Sequence, residues 1–381
     1  MKRHNVGILG FGFIGKAHAY GYTNLPLFYD PVPLQHRLHS VCTSRPETAE
    51  KARALLGFER ACTDYREITE NPEIDIVHIC TPNKFHKDAL LSAMAHGKHV
   101  YCEKPLCTDL AEAEEIETAL VSYTGIAQMV FNYRFFPATI RAQELAAEGF
   151  LGRVLSLRAV YLHSGSVNPD APLKWKLDRQ MGGGIIGDLG SHVLDIVNML
   201  VGDFEALWCA THIAYADRPA ADGSGRRVPV EAPDSALMAV RLPGGCVGSI
   251  EASKIATGAQ DELRFEVHGE RGALRFNLMH SNWLEAYDAT RPGGPTGGWL
   301  GWQAIDTVQN FPPPASGFPT GKSGIGWLRG HAACLHNFLS AVARGEPAEP
   351  GLRQGLYIQR LMAAAEDSAQ SGQWVDVSRV R

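Results

Sequence analysis

The chain has 381 residues, 45% of them hydrophobic, and a formal net charge of −5; this length argues for two domains with their own cores rather than one. The mild charge and the lack of any long Lys/Arg block exclude the electrostatic footprint of a nucleic-acid binder. The longest apolar run, Ile185 to Leu200, is interrupted by Asp188, His192 and Asp195, so no membrane helix is expected.

Residues 1–9 have a basic start and pass directly into an apolar strand with no separate leader pattern, which reads as a mature, cytoplasmic amino terminus. From there to about residue 132, apolar runs alternate with helical patterns. The strand candidates are Val6 to Leu9, Leu38 to Cys42, Ile76 to Cys80, His99 to Cys102 and Ile126 to Phe131. The helices between them include Thr48 to Leu56 and Asp88 to Ala95, stopped by Gly57 and Gly97. This alternation predicts a parallel sheet with crossover helices.

Pro137 opens a helix over Ala138 to Glu148, and the pattern then changes to strands: Val154 to Leu162, Ala236 to Leu242, Cys246 to Ala252, Glu262 to His268 and Gly272 to Asn277. Turns at Pro243-Gly244-Gly245 and Gly269 to Gly272 make a meander the simplest connection. The second half is thus expected to be α+β with a large, mostly antiparallel open sheet. The expected domains are 1–134 and 135–381. Asp217 to Pro233 and Thr290 to Gly326 read as irregular, and Leu352 to Gln370 as a helix. Eight cysteines stand singly, without CxxC pairs or metal-ligand spacing, so reduced, mostly buried thiols and no metal site are expected.

Gly10-Phe11-Gly12-Phe13-Ile14-Gly15 follows the first strand and enters a helix. In that context Gly10 makes the turn, Gly12 lets a pyrophosphate approach the backbone, and Gly15 lets helix and strand pack closely. Helix-start N–H groups then face the phosphates. At the end of the second strand stand Thr43, Ser44 and Arg45, where a carboxylate would normally bond the 2′-hydroxyl of NAD. A hydroxyl and a guanidinium favour NADP over NAD. Arg45 as a solvated charge, with Thr43 or Ser44 as a helix cap, is the alternative, and the cofactor reading is NAD(P).

Glu103-Lys104-Pro105 ends a strand at the ligand-binding edge of the sheet, where an ammonium would reach both nucleotide and substrate. Further on, Asp188 and His192 follow the glycine run 182–184. If Asp188 begins an α-helix, His192 lies one turn later on the same face. Histidine is the side chain best suited to take a proton from an alcohol near neutral pH.

Four ordered motifs, GFGFIG at 10–15, CTPNKFH at 80–86, GKHVYCEKPL at 97–106 and GGGIIGDLGSHVLDIVNMLVG at 182–202, make the chain resemble the glucose-fructose oxidoreductase, inositol dehydrogenase and rhizopine-catabolism oxidoreductase family over nearly its whole length. The resemblance implies a Rossmann domain followed by an α/β domain whose open sheet serves oligomerisation, as a dimer or tetramer. It implies that Lys104, Asp188 and His192 surround the substrate alcohol, and that Thr81, Pro82, Asn83 and His86, with Glu103 at the edge, line the cofactor. Asn132, Tyr133 and Arg134, and Trp175 with Lys176, are added as substrate-facing positions, since sugar hydroxyls need hydrogen bonds and sugar C–H faces stack on rings.

The expected activity is hydride transfer between a ring secondary alcohol of a sugar, anhydrosugar, glycoside or inositol and a nicotinamide. Redox-assisted glycoside cleavage and non-catalytic nucleotide sensing are the alternatives on the same fold.

Overall fold

The computed structural model describes residues 3–379, which fall into two compact units. The first is the chain through Phe135 with Phe311–Gly321 and Gly326–Gln359; the second is Phe136–Asn310, Lys322–Ile325 and the chain from Arg360.

In the first unit β1 (Arg3–Leu9), β2 (Gln35–Cys42), β3 (Arg60–Cys62), β4 (Ile76–Ile79), β5 (His99–Cys102) and β6 (Ala127–Met129) form one sheet. All pairings are parallel, in the order β3-β2-β1-β4-β5-β6. The order reverses between β1 and β4, which opens a ligand crevice at their carboxyl ends. Val6, Ile8, Val41, Ile76, Val77 and Val100 are fully buried, as central parallel strands must be. Strand β3 escapes the sequence reading because it is a three-residue edge strand, Arg-Ala-Cys, with no hydrophobic run.

Helices α1 (Phe13–Phe28), α2 (Pro46–Leu56), α3 (Arg66–Thr69), α4 (His86–Ala95) and α5 (Leu110–Leu120) connect these strands. Asp109 caps α5 by accepting the Glu112 N–H at 2.9 Å, while the Glu112 carboxylate accepts the Thr108 N–H at 2.8 Å, a reciprocal arrangement that satisfies two backbone donors.

The second unit begins with α6 (Pro137–Ala147) and β7 (Val154–Leu162), followed by α7 (Ser191–Val201) and β8 (Ala206–His212). A short hairpin follows, β9 (Asp217–Pro219) with β10 (Arg227–Pro229), inside a stretch expected to be irregular. Strands β11 (Ser235–Leu242), β12 (Cys246–Ser253), β13 (Glu262–Gly269), β14 (Gly272–Asn277), β15 (Trp283–Asp288), β16 (Trp302–Asp306) and β17 (Val375–Asp376) complete a nine-stranded sheet, ordered β16-β15-β14-β13-β7-β12-β11-β8-β17. The expected hairpins form at 243–245 and 269–272. The expected meander does not. Strand β7 inserts between β12 and β13, parallel to the first and antiparallel to the second, because its inward residues Leu157, Ala159 and Tyr161 need neighbours on both edges to be buried.

Helix α8 (Trp327–Arg344), which has no counterpart among the expected elements, returns to the first unit, and α9 (Leu352–Ser371) follows it. This differs from the expected division at 134/135. Leu335, Phe338, Leu339 and Val342 form an apolar stripe at helical spacing and share one core with Val6, Ile8, Tyr22, Leu25 and Tyr101. Gly21 of α1 makes the approach possible, since a Cβ there would sit 2.8 Å from Leu335 Cδ2. The eight cysteines are free thiols, buried except for the half-buried Cys62. The stretch Arg179–Val201 has the length and composition of a membrane span, with 83% of its apolar window buried inside the folded chain.

Candidate active site

The first unit presents the glycine turn at the carboxyl end of β1. Gly10 has φ +86°, and a Cβ on it would lie 2.5 Å from the Cys80 carbonyl oxygen. A Cβ on Gly15 would overlap the carbonyl oxygen of Gly10. A Cβ on Gly12 would meet nothing within 4 Å, so this residue faces open space at the start of α1. Gly10 and Gly15 are therefore required by the turn itself, whereas Gly12 is required only by something that approaches from outside. The first turn of α1 has no acidic residue and no side-chain cap, which leaves its N–H groups and positive dipole end available to an anion. Phe11 and Ile14 pack against the core, while Phe13 is 77% exposed and lies 5.2 Å from the Trp327 ring.

At the end of β2, Thr43 is engaged locally: its hydroxyl donates to the Arg45 carbonyl at 3.0 Å and lies 2.6 Å from Thr48 Oγ1. Ser44 and Arg45 are exposed. After β4, the turn Asn83–Phe85 follows Thr81 and Pro82. Thr81 Oγ1 is a buried polar atom without a hydrogen-bond partner among the described residues, a group that a ligand hydroxyl or amide would satisfy. His86 is fully buried, with its ring nitrogens 2.9 Å from the carbonyl oxygens of Pro105 and Thr81. It clamps the turn after β4 to the turn after β5. Open Gly12, the uncapped start of α1 and the orphaned Thr81 hydroxyl fit a dinucleotide.

Lys104 follows β5, is half-buried and precedes a cis peptide bond to Pro105. Its backbone N–H donates to Glu103 Oε2 at 3.2 Å. Asn132, Tyr133 and Arg134 lie on the helical turn Asn132–Phe135 after β6. Asn132 is buried, with its Nδ2 lacking a partner among the described residues, and the Tyr133 hydroxyl lies 3.4 Å from Trp327 Nε1.

In the second unit Asp188 does not begin an α-helix. Residues Ile186–Gly190 form a π turn that runs into α7, a widened geometry that recurs at functional sites. The Asp188 carboxylate lies between two ammonium groups, with Oδ1 3.1 Å from Lys176 Nζ and Oδ2 3.1 Å from Lys254 Nζ. The glycine run explains how Lys176 arrives there. A Cβ on Gly183 would stand 2.5 Å from the Trp175 carbonyl oxygen, so only glycine lets the Trp175–Leu177 turn close on the start of the helix. Lys176 Nζ also lies 5.8 Å from the centre of the Trp175 ring. His192, in the first turn of α7, is 6% exposed and meets the Tyr161 ring edge-on at 5.9 Å. Asp261 Oδ1 accepts the Tyr161 hydroxyl at 2.6 Å and lies 2.9 Å from His163 Nε2.

Lys254, Tyr161, His163 and Asp261 were not anticipated. The signal for Lys254 lies in strand parity: Cys246, Gly248, Ile250 and Ala252 point inward along β12, and position 254 continues that face. A lysine there must find a buried partner. Replacing Lys254 by Met is expected to cost about 2 kcal/mol or more, because Asp188 then loses its better buried counter-ion. Chemical denaturation checks this, and an unchanged midpoint would show the pair to be energetically idle.

The chain matches two family profiles, an oxidoreductase family's NAD-binding Rossmann fold over residues 4–131 and the C-terminal alpha/beta domain of the same family over residues 143–377. It is 32% identical to a levoglucosan dehydrogenase from Pseudarthrobacter phenanthrenivorans over the full length of both chains. A levoglucosan dehydrogenase structure in complex with NADH and levoglucosan superimposes with a TM-score of 0.93, covering 99% of this chain and 100% of that one at 32% identity. An inositol 2-dehydrogenase from Rhizobium meliloti is 27% identical, with 98% of each chain covered.

Proposed function

Because the chain belongs to the glucose-fructose oxidoreductase, inositol dehydrogenase and rhizopine-catabolism family of oxidoreductases, we propose that it is an NAD(P)-dependent dehydrogenase interconverting a ring secondary alcohol and a ketone on a sugar, anhydrosugar, glycoside or inositol. The observation that carries this reading is the Asp188 carboxylate held between Lys176 and Lys254, with His192 one turn on, in a chain whose nucleotide turn is also open for a ligand.

A bound nicotinamide supplies the hydride acceptor. The protein supplies the handling of the proton and the orientation of the sugar. His192 takes the proton of the reacting hydroxyl as general base, and Lys104 polarises the same oxygen. The Asp188 carboxylate accepts hydrogen bonds from sugar hydroxyls, and its two lysines hold it in place. Asn132, Tyr133, Arg134, Trp175 and Lys176 supply the remaining contacts to a ring with a polar rim and apolar faces.

Ser44 and Arg45, exposed at the end of β2 where no carboxylate stands, support acceptance of a 2′-phosphate alongside NAD. A panel of sugars, anhydrosugars, glycosides and inositols, run separately with NAD and NADP while following absorbance of the reduced nicotinamide, tests both readings. The expected result is reduced cofactor formed in step with ketone. Free aglycone without net reduction would indicate redox-assisted cleavage, and nucleotide binding without turnover would indicate a sensor. Arg45→Ala is expected to lower kcat/KM for NADP by about 10-fold or more, the worth of one charge-assisted hydrogen bond, and to leave NAD within about twofold. Equal effects on both cofactors would remove Arg45 from phosphate recognition.

A further inference from the structure

Behind the Lys104 turn the first unit buries a row of titratable side chains that the proposed reaction leaves unused. Glu103 Oε1 lies 3.0 Å from His18 Nε2, His18 Nδ1 lies 3.0 Å from His78 Nδ1, and His78 Nε2 lies 2.8 Å from the Tyr22 hydroxyl. Cys80 Sγ sits 3.1 Å from His18 Nδ1. All five residues are 7% exposed or less, so their protons must be shared among themselves.

The two ends of the row fix the direction of each hydrogen bond in it. Burial pushes the Glu103 carboxyl up, but the hydrogen bond from His18 and the Lys104 ammonium oppose it, and the carboxyl ends below the ordinary carboxylate range. Ionised, it only accepts, so His18 Nε2 carries a proton. At the other end, burial holds the Tyr22 phenol well above its ordinary value. It stays protonated, and the acceptor beside it is His78 Nε2. Burial keeps His78 neutral, which puts its one proton on Nδ1, pointing at His18 Nδ1. His18 Nδ1 therefore accepts. Every hydrogen bond in the row runs toward Glu103.

The row crosses three elements. His18 and Tyr22 stand one turn apart on α1, the helix whose start carries the nucleotide turn; His78 is on β4, and Glu103 follows β5. The second oxygen of Glu103 accepts the Lys104 backbone N–H. We propose that His18 is a positioning residue for Lys104: acting through Glu103, it ties the Lys104 turn to the nucleotide-binding helix, while His78 and Tyr22 lock it in the one tautomer able to do so. The row is not an exit path for protons, because it ends at a buried phenol whose proton already points inward. The kinetic consequence rests on the role given to Lys104 above, whereas the tautomers do not depend on it.

The test uses the full chain labelled with 15N-histidine, its imidazole signals assigned through His18→Gln and His78→Gln. His18 is expected to carry its proton on Nε2 alone and His78 on Nδ1 alone. A doubly protonated His18, or either opposite tautomer, overturns the proposal. In kinetics His18→Leu is expected to lower kcat by about 10- to 100-fold, the worth of a hydrogen bond to a buried charge, with NADH affinity unchanged. His18→Gln keeps an N–H donor near the Nε2 position and is expected to retain most of the turnover. If His18→Leu does not fold, Tyr22→Phe replaces it and is expected to release the His78 tautomer while NADH affinity holds. Equal loss in the Gln and Leu variants, loss of NADH affinity in step with kcat, or an unmoved His78 tautomer in Tyr22→Phe overturns the proposal. A wild-type protein inactive on every substrate would instead count against the dehydrogenase reading, and the imidazole spectra would still decide the proposal.

Discussion

Replacing His192 by Gln is expected to lower kcat by about 10²- to 10⁴-fold, the usual contribution of a general base, while NADH affinity stays within about threefold. The two readouts separate because the nucleotide turn at 10–15 belongs to the first unit and His192 to the second. Glutamine approximates the size of the imidazole and keeps a hydrogen-bonding end, so the packing against Tyr161 is disturbed little and what is lost is the capacity to take a proton. Lys104→Met should fall by a similar factor, again in kcat. If the two groups serve one proton transfer, the double variant loses far less than the product of the single losses, as residues acting as a unit do. Single-turnover measurement of hydride transfer together with NADH titration checks all three variants. Near-normal turnover in either single variant would sink the catalytic assignment.

The second large effect is a contrast between two glycines of one motif. Gly12→Val is expected to fold with near-normal stability, since a Cβ at this position meets nothing within 4 Å, yet to lose NADH affinity by about 100-fold or more, because the branched side chain fills the approach to several charge-assisted backbone hydrogen bonds. Gly15→Val is expected to lose about 3 kcal/mol or more of stability through overpacking, because its Cβ would overlap the Gly10 carbonyl oxygen. Thermal unfolding without ligand and NADH titration, run on both proteins, separate the outcomes. A Gly12→Val protein that binds NADH normally would mean that the open face of this turn is not where the dinucleotide lies.

Much of this was legible in the sequence because it rests on local periodicity and on residues with few conformational alternatives. The apolar runs from Val6 to Phe131 became the parallel strands, and the glycine spacing of 10–15 became a turn in which Gly10 and Gly15 leave no room for a side chain and Gly12 faces open space. The residues that sequence reasoning missed share one property: their meaning depends on a distant partner. Lys254 is an unremarkable lysine until β12 carries it to Asp188, 66 residues away in sequence. His18 and His78 lie on a helix and a strand that each look sufficient without them.

By itself, then, the sequence determined the class of the long periodic elements, the glycine turn after β1 and the candidates for moving a proton, because these follow from side-chain chemistry and from hydrophobic periods spanning a few residues. Tertiary structure alone decided the rest. It inserted β7 into the middle of the second sheet, returned α8 to the first unit and widened the turn at Asp188. It also paired Asp188 with Lys254 and aligned the row from Tyr22 to Glu103. Each of these is settled by which buried surface or buried charge finds a partner far along the chain, a long-range condition that no local pattern encodes.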